Sequence, residues 1–294
     1  MSRLIVNADD FGLTPGVNRA IIELHRAGVL TSTTLMARAA ATDEAIELAR
    51  CTPSLGVGCH VLLVDGDPVL PPTRIPTLVN QKSGSFPPAL TTFLARLFTG
   101  RIRSAEIQAE AAAQIALLQT RGLRLTHIDT HKHTHMFPAV LRPILRAARA
   151  AGIHAVRNPF EPVWAVRATA GASWARAAEV NVLRKLQAAC RRTIAEEGFS
   201  TTDGTIAVVG TGILNAATAR ALLSQLPPGT WELVTHPGYN DADLDKVRTR
   251  LRASRDIERE ALHAIKEFPA IELISYSGIS PSQSLADSAR PTSP

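Results

Sequence analysis

Cysteine is scarce in this 294-residue chain: Cys51, Cys59 and Cys190 are the three present, with no CxxC spacing. An odd, dispersed set of thiols argues against a disulfide framework and a zinc ribbon, and fits free thiols in a reducing compartment. Aromatics make up 4% of the chain, so the core must rest on Ala, Leu, Ile and Val. No apolar run approaches the ~20 residues that a membrane-spanning helix needs. The opening Met1-Ser-Arg-Leu-Ile-Val6 runs straight into a strand-like segment, without the basic, apolar and small-residue series of a secretory leader. A cytoplasmic location is expected.

What is present is ordinary in bulk. Hydrophobic residues make up 45% and charged residues 20%, the balance of a globular protein with a sizeable core. The formal charge of +6 favours anionic surfaces. No helix-turn-helix, zinc-finger or RNA-binding signature accompanies it, so no nucleic-acid partner is expected. The arginines recur at helical spacings (Arg142, Arg146, Arg149; Arg248, Arg252, Arg255, Arg259) and read as solvated helix faces.

Short apolar strands alternate with Ala/Leu/Arg-rich helical stretches. Leu4–Ala8, Thr33–Met36, Leu55–His60, Leu125–Asp129, Ala155–Arg157, Ile206–Val209, Glu232–Thr235 and Glu272–Ser275 read as strands. Helices are expected over 17–27, with Thr14 as N-cap, Pro15 at the first position and Gly28 closing, and over 43–49, 105–120 and 138–151. Residues 65–90 are Pro- and Gly-rich and read as a long excursion over the site face. Residues 160–200 are helical and break the rhythm, as an insertion would. The alternation implies a parallel sheet with crossover helices. The expected fold is α/β, a TIM-like (β/α) barrel, distorted or incomplete, forming a single domain over 1–280. A Ser/Pro-rich disordered tail is expected over 281–294.

In barrels of this kind the C-terminal rim carries the chemistry. Asp9, Asp10, His60, His127, Asp129, Arg157 and His236 all fall at or just beyond expected strand ends. The densest feature is Thr126-His-Ile-Asp-Thr-His-Lys-His-Thr-His135, four of the nine histidines within nine residues. In an extended chain the alternation places His127, Asp129, His131, His133 and His135 on one face. Imidazole and carboxylate ligands suit Zn, Mn, Co or Ni, and a lone pair of them also accepts Mg. A polar loop of solvated histidines is the bland alternative. In the Asp9-Asp10 pair, one carboxylate can bind a metal while the other faces water; His60 offers a ligand from another strand. Arg157, followed by Asn-Pro, is placed to pair with a catalytic carboxylate and keep it ionised. His236, before a Pro-Gly turn, suits a general acid because imidazole titrates near neutrality.

Asn7-Ala-Asp-Asp-Phe-Gly12, Gly58-Cys-His60, the histidine run and Thr235-His-Pro-Gly-Tyr239 together resemble the YdjC/ChbG-like carbohydrate deacetylases. The stretch from Val61 to Pro72 resembles the hopanoid-biosynthesis-associated (HpnK-like) branch. The resemblance implies N-deacetylation of an amino sugar in a TIM-like barrel, as a homodimer. Carried over motif by motif, it implies Asp10, His60 and His127 as ligands of one divalent ion (Mg2+ or Zn2+), with His131 as the alternative to His127. It implies Asp9 as base, His236 as acid and Arg157 as the residue orienting the base, leaving Asp129, His131, His133 and Tyr239 to face the substrate. Water activated by the metal would then cleave the acetamide of a chitooligosaccharide or other N-acetylglucosaminide. A glycolipid such as an N-acetylglucosaminyl hopanoid is the alternative substrate. A metallophosphohydrolase and a non-catalytic sugar- or glycolipid-binding protein are the rival functions. The Trp- and Arg-bearing helical segment around 160–200 is also suited to peripheral membrane contact.

Overall fold

The computed structural model describes residues 1–279; the expected tail lies outside the described residues. The first half of the chain runs β1 (Ser2–Phe11), α1 (Pro15–Arg26), β2 (Ser32–Leu35), α2 (Thr42–Arg50), β3 (Gly56–Val61), α3 (Leu90–Phe98), α4 (Ser104–Thr120), β4 (Ile128–Thr130) and α5 (Pro138–Ala150). Three helices follow, α6 (Val163–Ala168), α7 (Trp174–Leu183) and α8 (Gln187–Glu196), then β5 (Gly204–Ile206), α9 (Ala216–Ser224) and β6 (Gly229–Thr235). The chain continues with α10 (Ala242–Asp245), α11 (Ala253–Ala261) and β7 (Glu272–Leu273).

The strands form one parallel sheet ordered β4-β3-β2-β1-β6-β5, with β7 pairing with the start of β1. Parallel strands covered on both faces must be apolar throughout, and Leu4 to Ala8 are all buried. The sheet curls, and irregular backbone spans the space between β4 and β5. Ile128 bridges Val156 and Ala155 bridges Ser200, both in parallel sense. The expected distorted TIM-like barrel is the fold observed. The expected strand over 155–157 is reduced to these isolated bridges. The expected 125–129 strand shortens to β4, and the 206–209 strand shifts to β5 because Ala207 turns into the left-handed region at φ 70°.

Local chemistry accounts for the regular parts. Thr14 caps α1 by accepting from Val17 N at 3.2 Å, with Pro15 in the first turn, and Gly28 leaves the helix at φ 73°. The 65–90 excursion is tied down by a polar stripe on α4. Glu110 accepts from Val69 N and Leu70 N at 2.7 and 3.0 Å, and Glu106 accepts from Thr77 N at 2.7 Å. These carboxylates satisfy backbone donors that no strand pairs, which lets an irregular segment stay packed. Among the described residues no helix is long and apolar enough to cross a membrane.

Candidate metal centre and active site

Strand register assembles the site. His60 and Asp129 are Cα partners across β3 and β4, and His60 Nδ1 lies 2.7 Å from Asp129 Oδ1. Ile128 bridges Val156, which sets Arg157 beside Asp129. Ala8 pairs with Thr235, so Asp9 and His236 follow side by side. Adjacent strand residues normally point to opposite faces. Here β1 carries a register irregularity between Ala8 and Phe11, and Asp10 adopts φ 67°. That bulge re-aims Asp10, so both neighbouring carboxylates serve one site.

Arg157 is the hub. It is fully buried and grips both oxygens of Asp9, Nη1 to Oδ2 at 2.8 Å and Nη2 to Oδ1 at 2.6 Å. Its Nε and Nη2 also donate to Glu232 Oε1 at 2.8 and 2.7 Å, and Nη1 pairs with Asp129. Asn7 Nδ2 and Thr34 Oγ1 donate to Asp9 Oδ1 at 3.0 and 3.3 Å. Burial alone would raise the Asp9 carboxyl; the Arg157 guanidinium, together with His60 and His236, outweighs it and holds Asp9 below the usual carboxylate range. His236 Nε2 lies 3.9 Å from Asp9 Oδ2, and its backbone N donates to Glu258 Oε2 at 2.7 Å.

Beside this hub three donor atoms converge. Asp10 Oδ1 is 3.7 Å from His60 Nε2 and 3.5 Å from His131 Nδ1, and the two imidazole nitrogens are 3.3 Å apart. A triangle with edges near 3.5 Å has its centre about 2.0 Å from each corner, the length of a metal–nitrogen or metal–oxygen bond. Asp10 Oδ1 is buried without a hydrogen-bond partner. An orphaned buried carboxylate oxygen facing two imidazole nitrogens fits a divalent cation. Asp9, His60 and Asp129 form a second close group, but Arg157 already supplies its positive charge. Burial lowers the His60 imidazole, yet the carboxylates of Asp129, Asp9 and Asp10 together more than offset this and raise it to about 9.

The other expected site residues fall elsewhere. His127 is fully buried with its ring stacked on Tyr276, centroids 3.8 Å apart, and it stands outside the donor triangle. Gly58 makes room for it, since a Cβ there would come within 2.5 Å of the ring. Asp129, expected to face the substrate, is buried against His60 and Arg157. Tyr239 lies against α1, its hydroxyl donating to Glu23 at 2.5 Å and the guanidiniums of Arg19 and Arg259 over its ring. The alternation that would align the histidines ends at Thr130. Lys132 and His133 are left-handed, at φ 55° and 51°, so the rings fan out. His135 turns back to Thr130 Oγ1 at 2.7 Å, and His133 sits 6.1 Å from His135, ring to ring.

Four charged or polar residues at the site escaped the sequence reading. Glu232 and Tyr276 support Arg157, the Tyr276 hydroxyl donating to Glu232 Oε2 at 2.5 Å. Arg255 and Glu258, one turn apart on α11, reach Asp10 and His236. The solvated face expected for the 248–259 arginines is thus wrong at Arg255, which is buried in an ion pair.

Residues 3–268 match the model of the YdjC-like protein family. The chain belongs to that family. A carbohydrate deacetylase of Thermoanaerobacter pseudethanolicus is 27% identical over 265 residues, 89% of this chain and 91% of the relative. One from Brevibacillus brevis is 41% identical over 158 residues, 54% of this chain and 60% of the relative. Among solved structures, a proposed cellobiose-phosphate cleavage protein from Enterococcus faecalis V583 superimposes with a TM-score of 0.73 at 28% identity. That alignment covers 94% of this YdjC-like chain and 97% of the other.

Proposed function

We propose that this protein is a divalent-metal-dependent N-deacetylase that hydrolyses the acetamide of an N-acetylated amino sugar, such as a chitooligosaccharide or another N-acetylglucosaminide. The observation carrying this reading is the convergence of Asp10, His60 and His131 beside an arginine-held Asp9 with His236 next to it. The curated relatives, named carbohydrate deacetylases, support the substrate class.

Asp10, His60 and His131 would hold the divalent ion, Mg2+ or Zn2+. Of the two histidines that the sequence leaves open, His131 is assigned because its Nδ1 lies in the triangle and His127 does not. Such an ion supplies Lewis acidity, polarising a carbonyl and making water nucleophilic near neutral pH. His60 donates from Nδ1 to Asp129, which fixes its tautomer and turns Nε2 toward the triangle. Asp9, kept ionised and aimed by Arg157, takes the proton of the attacking water. His236 gives a proton to the departing nitrogen, because an amide nitrogen leaves poorly as an anion. Water and acetamide go in; acetate and amine come out.

A phosphohydrolase could use the same ligands, so substrate identity is the test. The protein is incubated with chitooligosaccharides, N-acetylglucosamine, an N-acetylglucosaminyl lipid and phosphorylated sugars, and the products are weighed by mass spectrometry. Loss of one acetyl mass from an N-acetylated sugar or glycolipid supports the reading; release of phosphate alone overturns it.

A further inference from the structure

Arg255 lies 245 residues from Asp10 in sequence and touches it in space. Its Nη2 donates to Asp10 Oδ2 at 2.6 Å, and both side chains are buried, at 1% and 5% exposure. The other Asp10 oxygen, Oδ1, has no hydrogen-bond partner and faces His60 and His131. The two oxygens of one carboxylate are therefore divided, one engaged by a guanidinium and one presented to the donor triangle. A carboxylate can bind a cation through one oxygen or both, and a free Oδ2 would make two-oxygen binding available.

Arg255 is itself held. Its Nε donates to Leu251 O at 3.1 Å. Gly238, in the His-Pro-Gly turn after β6, leaves space for its stem, since a Cβ there would approach Arg255 Cδ to 3.0 Å. Gly238 N also donates to Arg255 O at 3.3 Å. The turn bearing His236 and the helix bearing Arg255 are thus locked together.

We infer that Arg255 is a positioning residue: by occupying Asp10 Oδ2 it restricts Asp10 to a one-oxygen ligand and leaves the remaining coordination positions to water and substrate. The inference rests on the metal reading given above. Partners that orient a ligand in this way typically change metal affinity or activity by about 10–100-fold when removed.

The test uses cobalt(II) as the probe, with the wild type, Asp10→Asn and Arg255→Met. In the wild type, the infrared difference spectrum on cobalt binding, with Asp10→Asn as reference, should show the widely split carboxylate bands of one-oxygen coordination. Arg255→Met should narrow that splitting and lose visible absorption intensity per cobalt, as the second oxygen raises the coordination number. Its kcat should fall about 10-fold or more, with KM little changed. Narrowly split bands in the wild type overturn the inference, whether or not the variant folds. So does a folded Arg255→Met with wild-type spectra. A wild type that binds no divalent ion overturns the metal reading itself, and with it this inference.

Discussion

Both carboxylate oxygens of Asp9 are held by the one guanidinium of Arg157, at 2.6 and 2.8 Å, while His236 Nε2 stands 3.9 Å from Oδ2. The pairing keeps Asp9 charged and aimed but leaves it outside the donor triangle. Asp9→Asn therefore keeps its metal and loses roughly 10²–10⁴-fold in kcat, the range of a lost general base. Metal content by elemental analysis and acetate release by a coupled assay check the two halves separately. An Asp9→Asn enzyme with wild-type turnover means that another group takes the proton.

His131 and His127 separate metal binding from packing. His131→Ala removes a corner of the triangle and loses the ion. His127→Ala keeps it, but deletes a buried ring stacked on Tyr276, at a cost on the order of 2–4 kcal/mol by comparison with other large-to-small core changes. Metal content and urea unfolding of the two variants give opposite patterns. The assignment fails if His127→Ala is the one that loses metal.

Arg157 faces Asp9, Asp129 and Glu232, all buried. Arg157→Met leaves three carboxylates without their shared counter-charge, and breaking a buried pair from one side costs about 3–5 kcal/mol. Tyr276→Phe, which removes only the hydroxyl donated to Glu232, costs about 1–3 kcal/mol. Thermal melts should rank wild type, Tyr276→Phe and Arg157→Met in falling order. A fully stable Arg157→Met would show that the cluster does not depend on its cation.

Away from the site, Glu161 accepts from Ala207 N at 2.7 Å and Val209 N at 2.6 Å. Burial raises its pKa from 4.5 to about 7, against the pull of these donors. The folded state thus holds this proton more tightly than the unfolded chain. The stabilisation it gives is complete below about 4.5 and is lost as pH rises through 7. The melting temperature of the wild type should fall relative to Glu161→Gln between pH 5 and 8, by about 5–10 °C at ~2–4 °C per kcal/mol. Parallel curves for the two proteins would place the Glu161 pKa near its ordinary value.

Much of this site is legible in the sequence because its residues stand at strand ends, where local patterning is strong. Asp9, Asp10, His60, Arg157 and His236, each expected at a strand end, come together in one cluster. Arg255 was missed because its partner is 245 residues distant, and a buried arginine on a helix has the same spacing as a solvated one. Glu232 and Tyr276 were missed for the same reason, since only the curl of the sheet brings them to Arg157. The histidine run misled in a different way. Its alternation suggests an extended chain, and no glycine warns that Lys132 and His133 turn left-handed. The elements themselves were easier to read, since Thr14-Pro15 and Gly28 mark the ends of α1 directly.

A metal at Asp10, His60 and His131 and the hydrolysis of an acetamide stand or fall together. Acetate and free amine are measured together from N,N′-diacetylchitobiose with the protein as purified, after chelation, and after a divalent ion is restored. Equal amounts of acetate and amine are expected, lost on chelation and recovered with the ion. Turnover that survives complete removal of metal, or an absence of acetate from any N-acetylated sugar when metal is bound, would contradict it.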